Sequence, residues 1–169
     1  DEELAAWITR HAGEPLGLSI RTSSGHLHEA GIASGSEAIR VPWIPGSKDH
    51  LPLLRALTDH ESGWVCFDAK HSYRQLSTEA AEFRVVGDVS VAFWVGRPSA
   101  KTPSFSGLVN EHLGVDVPEP DPNQLLPEEG ALPVGVEAWL VRSLWLRIHE
   151  SLETQSQEVL STIELPLVP

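Results

Sequence analysis

Apolar residues recur along the chain with two different periods, and the changes of period mark out its elements. In residues 2–12, Leu4, Trp7, Ile8 and His11 fall on one side of a 3.6-residue repeat, which predicts an amphipathic helix. Asp1 is its expected N-cap and Gly13 its expected stop. Residues 15–22 switch to alternation, with Leu16, Leu18 and Ile20 spaced as in a half-buried strand. Ser23-Ser24-Gly25 reads as a turn, and residues 27–33 and 37–43 read as two further strands around Ser34-Gly35-Ser36. Three short strands in succession predict an antiparallel meander.

Beyond residue 43 the pattern mixes both periods. Ser47 is placed to cap a helix through about residue 59, with Leu51, Leu54 and Leu57 in register. Residues 63–67 form a short apolar run, expected as a buried strand; 70–81 read as a helix and 83–86 as a strand. Asp88 then caps an apolar helix through Trp94. Strands alternating with helices predict a βα-type sheet joined to the meander, hence an α/β fold. Residues 114–133 hold five prolines and five acids, which excludes a long helix or an interior strand and predicts an exposed loop. From about Val134, a long helix is expected to at least Leu152, with Val136, Leu140, Leu144, Ile148 and Leu152 in four-residue steps. Residues 158–169, with Pro166 and Pro169, read as the start of a connection to something larger.

Composition adds few constraints. The length of 169 residues suits one domain, and 41% apolar content with six tryptophans suits a globular core. Cys66 is the one cysteine, so an intrachain disulfide and a four-cysteine zinc site are both excluded, in keeping with a reducing compartment. No run of eighteen apolar residues is present, and Asp1, Glu2 and Glu3 are acidic where a secretory leader is basic. A soluble, cytoplasmic chain with no membrane partner is expected. The net charge is −12, and the three lysines, Lys48, Lys70 and Lys101, are scattered. A surface that grips phosphates unaided needs clustered cations, so independent DNA binding is not expected.

Several local strings, in order, resemble the 3′–5′ exonuclease domain of family A DNA polymerases of the bacterial polymerase I type. Residues 1–8 resemble the helix before that domain's first strand. Gly63-Trp-Val-Cys-Phe-Asp-Ala-Lys70, with Gln75-Leu76, resembles its Gly-Gln-Asn-x-Lys-Tyr-Asp motif. Val86-Gly-Asp88 resembles its Phe-Asp-Thr segment. Leu146-Arg-Ile-His-Glu150 and Ile163-Glu-Leu-Pro-Leu-Val-Pro169 resemble the passage into the polymerase domain. The resemblance implies a ribonuclease H-like mixed sheet flanked by helices, spanning residues 1–169 as a single domain. It also implies four carboxylates holding two divalent metals about 4 Å apart.

The matching positions lack those carboxylates. Registered on Pro15, the Asp-x-Glu pair of the first strand falls on Ile20 and Thr22; slipped by one residue, it falls on Ser19 and Arg21. No acid occurs between Glu14 and Glu29. Ser72 takes the third ligand's position, while Asp68 falls on the family's asparagine. The Tyr-x-x-x-Asp motif lands on Glu137 and Val141. The resemblance thus implies an inactive proofreading-like domain that supports a polymerase domain in replication and repair. It would need no cofactor itself, and Mg²⁺ is expected only in the parent's polymerase domain. Its expected partners are that polymerase domain and, through it, DNA.

Asp68, Asp88 and Glu137 are the acids available for recruitment if the chain is instead an active nuclease with displaced ligands. Asp68 and Asp88 are otherwise explained as a turn residue and a helix cap, and Glu137 by the dipole of the last helix. His26 and His28 share one side of a strand without a clear third ligand. No Gly-x-Ser-x-Gly elbow and no glycine-rich phosphate loop occur. Cys66 lies in an apolar run and reads as core, as do Trp139 and Trp145. An unrelated interaction module docking through residues 114–133 is the remaining alternative.

Overall fold

A computed structural model describes residues 2–23, 26–43, 51–77, 83–101, 104–119 and 131–168. Its centre is an open five-stranded sheet of order β3-β2-β1-β4-β5. β1 (Leu16–Ser23), β2 (His26–Ala33) and β3 (Ala38–Pro42) are antiparallel neighbours, the expected meander. β4 (Trp64–Cys66) and β5 (Val85–Asp88) run parallel to β1. The order and directions match a ribonuclease H-like sheet, as the alternation of periods and the resemblance imply.

Alternation along β1 divides the molecule into two cores. Leu16, Leu18 and Ile20 face α1 (Glu2–Arg10), α2 (Leu51–Asp59) and α3 (Ala69–Ser77), packing with Trp7, Leu53, Leu57 and Leu76. β4 splits the same way: Trp64 and Cys66 join that core, while Val65 joins the other. The second core holds α4 (Val89–Gly96), α5 (Phe105–Leu113) and α6 (Val134–Ser151), with Phe93, Leu108, Leu140, Val141, Leu144 and Ile148 buried. Each such large side chain contributes about 1.5–3 kcal/mol through burial.

α6 lies directly on β1 and β2 because the sheet offers it glycines. A Cβ built on Gly17 would stand 2.2 Å from the Ala138 carbonyl oxygen, and one on Gly31 2.0 Å from that of Val134. After α6, Leu152 is extended, and α7 (Thr154–Val159) continues through a π-turn (Leu160–Glu164) into a 3₁₀ turn (Leu165–Leu167). Leu160 and Val168 are buried, so this segment packs onto both cores.

Some elements differ from expectation. α1 ends at Arg10, before Gly13. β5 starts at Val85, because Phe83 turns into the first core and stacks on Tyr73 at 5.4 Å. α5 was not anticipated: Ser104 caps it, accepting from the Gly107 amide, and Gly114 stops it in the left-handed region at φ 67°. The proposed cap Ser47, the end of the helix expected over 70–81, and 120–130 of the acidic proline-rich stretch lie outside the described residues.

Candidate functional site

The face of β1 that looks onto α6 carries Gly17, Ser19 and Arg21. Opposite them the first turn of α6 presents Glu137, and β2 presents Glu29, paired with Arg21 in the antiparallel register. Arg21 links these elements. Its Nη1 lies 3.2 Å from Glu29 Oε1 and its Nη2 3.0 Å from Glu137 Oε2, and Nη2 also donates to the Leu132 carbonyl. The Ser19 hydroxyl donates to the other oxygen of Glu137, and Arg40 Nε donates to the second oxygen of Glu29. Glu29 is only 7% exposed, a depth at which a carboxylate needs partners of opposite charge.

The positions registered on Pro15 do not meet this group. Ile20 packs into the first core, on the sheet's other face, and Thr22 is exposed beyond an irregularity in the β1–β2 register. Ser72 is buried on α3, also on the first-core side, with its hydroxyl donating to the Asp68 carbonyl at 3.0 Å. Val141 alone of the four lies on the α6 side, buried in the second core one turn beyond Glu137. The slipped register is the one that puts two β1 side chains, Ser19 and Arg21, beside α6.

Asp68 and Asp88 act at helix starts. Asp68 Oδ1 accepts from the His71 amide at 2.9 Å at the start of α3. Asp88 is buried and serves two helices: Oδ1 accepts from the Val91 amide at 3.1 Å, capping α4, and Oδ2 from the Ala69 amide at 2.8 Å, at the start of α3. Burial, with a smaller contribution from nearby Asp68, pushes its carboxyl up to about 6, against the opposing pull of the amide donors. Cys66 is enclosed in the first core, and burial pushes its thiol far above the usual range. His26 and His28 are exposed on β2. Trp145 is buried over Gly87, whereas Trp139 is 40% exposed and donates through Nε1 to the Gly35 carbonyl at 3.3 Å.

The donor set does not fit the two divalent cations that the resemblance implies. Such ions are hard and take several converging oxygen ligands. Among the described residues, no three of His, Cys, Asp and Glu are placed to share a metal. The two carboxylates that do converge, Glu29 and Glu137, have a guanidinium between them. Sequence reasoning missed Glu29 and Arg40; the turn expected over 23–25, taken with the meander, is the signal that places Glu29 near Arg21.

A groove of about 580 Å³ runs between α4 and α7. Val91, Trp94, Val95, Pro98 and Val159 give it an apolar lining, with Gln155 at its side. Among the described residues no helix is long and apolar enough to cross a membrane.

No family model and no curated protein sequence matches the chain. Its structure is similar to that of the POL domain of Pol1 from M. smegmatis, solved in complex with DNA primer-template and dNTP, with a TM-score of 0.79 and 21% identity over 97% of this chain. The chain spans 29% of that structure's length, so the likeness concerns one portion of a larger protein. At that identity it is a likeness of fold.

Proposed function

We propose that this chain is the exonuclease-like domain of a family A DNA polymerase and that it has lost metal-dependent hydrolysis. The observation that carries this reading is Arg21, whose guanidinium sits between Glu29 and Glu137 on the α6 face of the first strand. An active nuclease needs converging carboxylates free to bind cations; here the converging pair is already engaged by Arg21 and Arg40. The fold likeness to part of a protein whose structure holds DNA primer-template and dNTP supports the polymerase context.

In this reading residues 1–169 form one domain, with 158–169 leading toward the polymerase domain. That domain is the partner, it binds Mg²⁺, and DNA is reached through it, in replication and repair in a bacterial cytoplasm. The retained role is mechanical: the fold buries apolar surface and gives the polymerase domain a firm neighbour. Trp94 beside the α4–α7 groove, and Ile163 and Leu167 at 52% and 66% exposure, offer apolar surface for that contact. The competing reading, hydrolysis through Asp68, Asp88 and Glu137, finds these acids occupied with two helix starts and an ion pair.

The test is a trimming assay on the purified chain with end-labelled single-stranded DNA and Mg²⁺ or Mn²⁺. No shortening from the 3′ end is expected. Shortening abolished by Asp68→Ala, Asp88→Ala or Glu137→Gln would show that this reading is wrong.

A further inference from the structure

We infer that Arg21 is the resident cation of the α6 face: its guanidinium fills an oxygen cage, fastens the start of α6 to the sheet and keeps divalent ions out. This rests on the functional reading above, and deepens it by saying what replaced the metals. The cage consists of Glu29 from β2, Glu137 from the first turn of α6, and the Leu132 carbonyl from the chain entering that helix. Ser19 completes it by donating to Glu137. Carboxylate, carbonyl and hydroxyl oxygens are the donors that a hard divalent cation selects. A guanidinium offers five N–H groups in a planar fork and can satisfy several such oxygens in different directions.

An ordinary surface ion pair does not account for the arrangement. Such pairs join two exposed side chains and contribute little. Here one arginine bridges acids from two different elements and a backbone carbonyl, and the Glu29 side chain is only 9% exposed. Arg40 also binds Glu29, so that carboxylate stays paired if Arg21 is lost. Glu137 does not: without Arg21 its described side-chain partner is the Ser19 hydroxyl. Removing the guanidinium therefore leaves an anionic pocket lined by oxygens. Because Arg21 is tethered to β1, its guanidinium competes with free ions as an intramolecular partner.

The experiment is a thermal melt of wild type, Arg21→Met and Arg21→Met/Glu137→Gln, each titrated with Mn²⁺ and with Ca²⁺. An ion that binds only the folded state raises the melting temperature by mass action. The wild type should be indifferent. Arg21→Met should melt lower without metal and recover several degrees in millimolar Mn²⁺ or Ca²⁺, and the double variant should lose that recovery. A wild type raised as much as Arg21→Met, or a folded Arg21→Met that ignores both ions, overturns the inference. Should Arg21→Met fail to fold, Arg21→Lys keeps the charge and loses the fork. Amide exchange at Glu137 and Ala138 should then quicken about tenfold while β4 is unchanged, and unchanged exchange at Glu137 also overturns the inference. The two readings fail separately, since nuclease activity in the wild type strikes the functional one and cation indifference in Arg21→Met strikes this one.

Discussion

Asp88 holds two helices with one carboxylate, and burial sets a condition on that arrangement. Its folded-state carboxyl is pushed up to about 6 from an ordinary 3.8, so the folded chain binds its proton more tightly than the unfolded chain does. The resulting stability is fully present below the ordinary value and is lost as pH rises through about 6. A rise of that size corresponds to about 3 kcal/mol. Asp88→Asn removes the titration and turns an amide NH₂ toward one of the two backbone donors, at a cost of about 1–3 kcal/mol. Denaturant unfolding at a series of pH values from about 4 to 7 should therefore show the wild type losing ground relative to Asp88→Asn as pH rises. Parallel curves would refute the assignment. The cap itself was legible, since an acid directly before an apolar helical run has one common use. The role of Arg21 was not: its partners lie 8, 111 and 116 residues away, and no local pattern connects them.

At the scale of elements, α6 depends on residues with no side chain. Gly17 and Gly31 let its backbone rest on β1 and β2, and a Cβ at Gly31 would collide with the Val134 carbonyl at 2.0 Å. Since the obstacle is backbone, no rotamer change relieves it, and the helix must lift or β2 must bend. Gly31→Ala should cost at least about 2–3 kcal/mol in chemical denaturation, the upper range for overpacking. It should also loosen Glu137 from Arg21, because both contacts lie at the same end of α6. Gly13→Ala, where an added Cβ meets nothing within 4 Å, is the matched control and should change stability by less than about 0.5 kcal/mol. A small effect at Gly31 would mean that α6 stands off the sheet at that point. α6 was readable because its apolar spacing runs through eighteen residues. α5 escaped because Gly107, Ser106 and Asn110 are poor helix formers; burial of Leu108 and Val109, the Ser104 cap and the Gly114 stop outweigh propensity there.

At the scale of the whole molecule, the two-period pattern was enough to give the mixed sheet, because a shared sheet with a core on each face forces strands and helices to alternate as they do. What charge does at this scale is a separate matter, and it bears on whether the chain can bind DNA by itself. The net charge is −12, and Arg10, Arg21, Arg40, Arg97 and Arg142 are each committed to a carboxylate. Affinity for a phosphate backbone comes largely from releasing counterions, which requires several uncommitted cations along one track. Committing five of the nine arginines to carboxylates leaves few cations for such a track, even where the guanidinium heads reach the surface. Fluorescence anisotropy with a labelled single-stranded oligonucleotide, at low salt, should show no saturable binding up to about 100 µM, the weak end of ordinary nonspecific affinity. Micromolar binding that weakens steeply with added salt would show that the chain carries a cationic track of its own. In that case it reaches DNA directly, against the proposed route through a polymerase domain.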